Sequence, residues 1–108
     1  MSTPTAPGGP DGTNTYVLVV VLRARPGRAG QVLTRLHELA EVSLAEPGCL
    51  QYRVHRDVDD PATFALYEEW QDEAAWQRHD TGAQVVELLE ALTPDLADPI
   101  AVRRLLPS

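Results

Sequence analysis

The chain has 108 residues, enough for one domain, and its sixteen acidic against nine basic side chains leave a net charge of −7. That balance argues against a nucleic-acid partner, whose phosphates require a basic face. No run reaches the roughly 18 apolar residues of a membrane helix, so the chain reads as soluble and cytoplasmic, and its single Cys excludes an internal disulfide and a multi-cysteine metal site.

Residues 1–15 (MSTPTAPGGPDGTNT) are rich in Pro, Gly, Ser and Thr and offer little to offset the entropy of ordering. They are expected to be a disordered tail, and they lack the positive start and apolar run of a signal peptide. The domain is then 16–108. Tyr16–Leu22 (YVLVVVL) is a continuous apolar run, read as a strand covered on both faces and ended by Pro26-Gly27. Residues 28–45 place Ala29, Val32, Leu33, Leu36, Ala40 and Leu44 on one helical stripe, closed by Pro47-Gly48.

Two strands of period two follow. Leu50, Tyr52 and Val54 are expected on one face, with Gln51, Arg53 and His55 on the other. After the turn Asp57–Pro61, Phe64, Leu66, Glu68 and Trp70 share a face. Asp72 is the expected N-cap of a helix carrying Trp76 and His79, continued after Gly82 by a second helical piece with Val85, Val86, Leu88, Leu89 and Leu92. Ile100–Leu106 completes the pattern as a short strand.

The order strand, helix, strand, strand, helix, strand predicts an α+β fold, the ferredoxin-like split βαβ with an antiparallel sheet and helices on one face. The first strand is apolar on both faces, yet helices cover only one. A small domain has little surplus stability with which to leave the other wet, so a homodimer packed sheet to sheet is expected.

The stretch 46–79 (EPGCLQYRVHRDVDDPATFALYEEWQDEAAWQRH) holds most of the chemistry. His79 is the first choice for handling protons, since imidazole titrates near neutrality; a surface or carbonyl-bonded histidine is the plainer reading. Trp70 reads either as a pocket wall that stacks on a ring or as core. Glu68 lies on the same apolar face and needs a partner, or else carries a raised pKa. Tyr52 reads as a hydrogen-bond donor to a substrate carbonyl or as core filling. His55 points to solvent, to a dimer seam or, less readily, to the pocket. Trp76 is assigned to helix packing, His37 to the surface, and Cys49 to a small buried thiol. The three His have no metal-binding spacing, and neither a nucleophile elbow nor a phosphate loop is present.

EPGCLQYRVHRDVDDP followed by YEEWQDEAAWQRH resembles the antibiotic biosynthesis monooxygenase superfamily of dimeric α+β barrels, over roughly residues 16–106. The resemblance implies a homodimer that oxidises a small electron-rich aromatic or quinol-type compound with dioxygen and no cofactor. It implies catalytic roles for His79, Trp70 and Glu68, and substrate contacts from Tyr52, Asn14, Leu66 and His55. Leu66 stands where some polyketide-tailoring members carry Asn. Leu88-Leu89-Glu90 stands where the haem-degrading branch has its axial His, so haem ligation is not expected. A non-catalytic small-molecule-binding dimer and an oxygen-independent isomerase or cyclase are the alternatives on the same fold.

Overall fold

The computed structural model describes residues 15–108, so Asn14 and the rest of the N-terminal stretch lie outside the described residues. Thr15, assigned to the tail by sequence, is buried at 1% exposure. The elements run β1 (Tyr16–Arg23), α1 (Ala29–Leu44), β2 (Cys49–Arg56), β3 (Thr63–Trp70), α2 (Glu73–Asp80), α3 (Ala83–Leu92), a 3-10 turn (Thr93–Asp95) and β4 (Ala101–Leu105). The four strands form one antiparallel sheet in the order β2-β3-β1-β4, the ferredoxin-like arrangement expected.

Period-two alternation decides the two faces of the sheet. Tyr16, Leu18, Val20 and Leu22 of β1 and Phe64, Leu66, Glu68 and Trp70 of β3 point inward and are all buried. α1 packs over them through Val32 and Leu36 of the stripe its sequence spacing predicts and through Leu39 beside it, while Leu44 of that stripe is 52% exposed. Val17, Val19 and Val21 point outward and keep only partial cover. The β2–β3 turn is held by Asp57, whose Oδ1 accepts from the backbone N–H of Asp59 (2.7 Å) and Asp60 (3.0 Å). Among the described residues no helix is long and apolar enough to cross a membrane.

β2 departs from the simple alternation. Cys49 pairs with Trp70 but Gln51 pairs with Glu69, so Leu50 is the extra residue of a β-bulge and is 43% exposed rather than facing inward with Tyr52. The bulge sets Tyr52 opposite Glu68.

The Pro47-Gly48 turn positions α2. Gly48 has φ +88°, and a Cβ there would lie 2.6 Å from Cβ of Ala75. Only glycine lets the turn meet α2 this closely. The backbone N–H of Gln71 donates to the Gly48 carbonyl (2.7 Å), and Asp72 caps α2 by accepting from the Ala75 N–H (2.8 Å), as its position predicts.

Candidate functional site

Between the inner sheet face and helices α2 and α3 lies a cavity of about 320 Å3, near the small end of the range for ligand pockets. Its walls are mostly apolar, with Leu18, Val20 and Leu66 from the sheet and Val85 and Leu89 from α3. Five polar side chains reach it: Tyr52, Glu68, His79, Asp80 and Arg104.

Glu68 is 4% exposed and its Oε1 accepts from the indole N–H of Trp70 at 3.0 Å. Burial pushes its carboxyl from 4.5 up to about 7; the Trp70 hydrogen bond opposes the rise and the nearby charge of Asp80 adds to it. A carboxyl at that value exchanges protons readily at neutral pH.

His79 is 5% exposed, near the end of α2, and turned onto the sheet. Its Nδ1 lies 2.8 Å from Glu46 Oε1 and its Nε2 lies 3.9 Å from Glu68 Oε1. The second separation is too long for a hydrogen bond. The ring packs against Trp70 (centroids 4.5 Å, planes at 38°) and Tyr52 (5.9 Å, 56°). Because a carboxylate only accepts, the contact places a proton on Nδ1 and turns Nε2 toward Glu68.

Tyr52 is 4% exposed; burial, followed by the charge of Glu68, raises the pKa of its phenol, which stays protonated and able to donate. The Cys49 thiol is pushed up to about 11 by burial and by Glu68 and Glu46, and its Sγ–H donates to the Gln51 carbonyl (3.6 Å). It is a poor nucleophile, in keeping with its sequence reading.

The structure therefore brings His79, Glu68, Tyr52 and Leu66 to one cavity. The packing decides the readings of Trp70, Trp76 and His55. Trp70 is not a wall of the cavity: fully buried, it sits behind Glu68 and His79 and holds both. Trp76 packs against the core as assigned, 5.4 Å from the Tyr16 ring, and it also lines the cavity, with the Arg104 guanidinium 5.7 Å from its own ring. His55 pairs with Ala65 on the outer face and is exposed, away from the cavity, because an odd step along β2 reverses its side chain.

Sequence reasoning assigned no role to Glu46, Asp80 or Arg104. Glu46 meets His79 across 33 positions, a distance without a local signature. Arg104 was more accessible, since Val102 and Arg104 alternate on β4 and pair with Val20 and Leu18 of the inward face. Among the described residues no group of three or more His, Cys, Asp or Glu side chains is placed to hold a metal ion.

The family model described as Antibiotic biosynthesis monooxygenase matches residues 15–91. Over 67 residues the chain is 33% identical to YcnE of Bacillus subtilis, spanning 62% of this chain and 70% of that one. The crystal structure of PA3566 from Pseudomonas aeruginosa superposes with a TM-score of 0.82 at 29% identity, covering 89% of this chain and 96% of that one. Rv0793 from Mycobacterium tuberculosis also superposes at 0.82, covering 87% and 95%, but at 20% identity that likeness concerns the fold alone.

Proposed function

Since the chain belongs to the antibiotic biosynthesis monooxygenase family, we propose that it is a cofactor-independent monooxygenase acting on a small electron-rich aromatic or quinol-type compound. The observation that carries this reading is the pair of buried proton-handling groups, Glu68 and His79, set 3.9 Å apart at the edge of a mostly apolar cavity.

The chemistry asks little of the protein beyond proton transfer, orientation and dryness. A base removes a proton from an anthrone-like carbon acid. The carbanion gives one electron to dioxygen, and the radical and superoxide combine to a peroxide anion. Protonation and loss of water then leave a carbonyl, so a CH2 group and O2 become C=O and H2O. In this reading Glu68 or His79 Nε2 takes the proton, Tyr52 donates to the substrate oxygen, Trp76 stacks on its ring, and Trp70 fixes Glu68.

The same reading makes the protein a homodimer. Val17, Val19 and Val21 of β1, Ala65 and Tyr67 of β3 and Leu105 of β4 share the outward face, and among the described residues the helices pack on the opposite, inner face. A sheet face of this kind is stable when a second copy packs on it.

Incubation with an anthrone and menadiol panel, followed by oxygen uptake and product analysis, tests the activity. Turnover above the spontaneous rate that is lost in His79→Ala supports it. Conversion that persists under nitrogen would point to an isomerase or cyclase. Binding without conversion would point to a ligand carrier.

A further inference from the structure

His79 lines the cavity described above and also a second cleft of about 210 Å3, formed with Glu46, Pro47, Ala75 and Arg78. The imidazole thus stands between two spaces. Its Nε2 faces Glu68, whose side chain is 5% exposed, while its Nδ1 meets Glu46, whose side chain is 26% exposed. Trp70 and Tyr52 pack on the ring from two sides, so exchanging the two nitrogens would mean displacing a fully buried indole.

We propose that Glu68, His79 and Glu46 form a proton relay between the dry cavity and solvent, with Glu46 as its outer, positioning member. It rests on the reading of Glu68 and His79 as the proton-handling pair, and it adds a route that no local motif of the sequence displays.

The relay has a defined direction of travel. At rest the Glu46 carboxylate accepts the Nδ1 proton, leaving the Nε2 lone pair toward the cavity. A proton released there goes to Nε2, directly or by way of Glu68, the 3.9 Å gap being bridged by a substrate oxygen or a water. The imidazolium passes its Nδ1 proton to Glu46, which yields it to water. One proton enters, one leaves, and no other bond changes. The inward stroke runs the same steps backward and restores the original tautomer. The proposed oxygenation is proton-neutral overall, since the proton removed from carbon is taken up again when the peroxide loses water. The two strokes let the held proton exchange with solvent between those steps without changing that balance.

Other charged or titratable groups flank the path. Asp80 lies at the cavity beside Glu68, and Arg104 reaches the same cavity from β4. Tyr52 and Cys49 stand on β2, and Arg78 borders the outer cleft.

Exchange of the His79 Nδ1 proton with water, measured by NMR on 15N-histidine-labelled protein, tests the relay without any substrate. In Glu46→Gln the amide oxygen can still accept the same hydrogen bond but cannot carry a proton, so exchange is expected to slow at least tenfold. Glu46→Asp keeps a carboxylate and is expected to stay within threefold of the wild type. In Glu46→Ala, added acetate is expected to restore fast exchange. An exchange rate in Glu46→Gln within threefold of the wild type, or no response of Glu46→Ala to acetate, overturns the relay and leaves Glu46 only a ring-holding role. Slowed exchange in Glu46→Gln with no wild-type turnover on the anthrone and menadiol panel keeps the relay and removes the oxygenase reading. Normal turnover with unchanged exchange does the reverse.

Discussion

The indole N–H of Trp70 donates to Oε1 of Glu68 across 3.0 Å, between neighbours on one face of β3 that are 0% and 4% exposed. It places a hydrogen-bond donor beside an acid in an otherwise apolar layer, and it decides how that acid titrates. Two expectations follow from the pair itself.

Glu68→Gln is expected to stabilise the protein at alkaline pH while removing activity. The folded-state pKa of Glu68 lies near 7, above its ordinary 4.5, so the folded state binds the extra proton between those values. The contribution of Glu68 to stability is fully present below about pH 4.5 and is lost as pH rises through about 7. Glutamine escapes that loss and can still accept from Trp70. Urea denaturation should find the variant roughly 1–3 kcal/mol more stable than wild type at pH 8, with the gap closing near pH 4.

Trp70→Phe removes the donor and part of the packing on His79. Loss of a buried hydrogen bond together with a cavity is expected to cost roughly 2–4 kcal/mol in chemical denaturation. The Trp70 bond is the leading influence that holds the Glu68 carboxyl down, so its removal moves that titration further upward. Carbon-13 NMR of the labelled carboxyl should record the move, and any base-limited arm of a pH–rate profile should shift to higher pH with it.

Two glycines with positive φ separate backbone strain from collision. Gly27 has φ +81° and open space where a Cβ would stand, so Gly27→Ala is expected to cost about 1–2 kcal/mol. Gly48 combines φ +88° with the close approach of Ala75, so Gly48→Ala should cost more than that and push α2 away from the sheet. Thermal melts will rank the two. Only the Gly48 variant should disturb the NMR resonances of His79.

The outward face makes a prediction about mass. Light scattering is expected to give twice the 11.8 kDa of the chain at micromolar concentration. Val19 pairs with Tyr67 and Arg103 at the middle of that face, so Val19→Arg adds a charge where the second sheet would pack. The variant should be monomeric, with a lower melting temperature. A wild-type chain that remains monomeric would remove the sheet-to-sheet dimer.

What the sequence alone determined here was whatever repeats over short distances. Alternation along Thr63–Trp70 assigns each residue to a face, the unbroken apolar run Tyr16–Leu22 marks a strand without saying which face is inner, the helical stripe through Val32 and Leu36 assigns a buried side, and Asp72 marks the start of α2, because pleat, helical turn and cap are local geometry. Those rules place Glu68, Trp70 and Tyr52 on the inner layer. They do not say which inward side chains meet a gap and which fill the core, since that depends on where α2 and α3 rest on the sheet. Tertiary structure alone decided that Trp76 borders the cavity while Trp70 stands behind it. It decided that a bulge at Leu50 brings Tyr52 opposite Glu68, and that Glu46 closes on His79 from 33 residues away. Contacts of that kind arise from long-range packing and from one close glycine turn, and no periodicity along the chain encodes them.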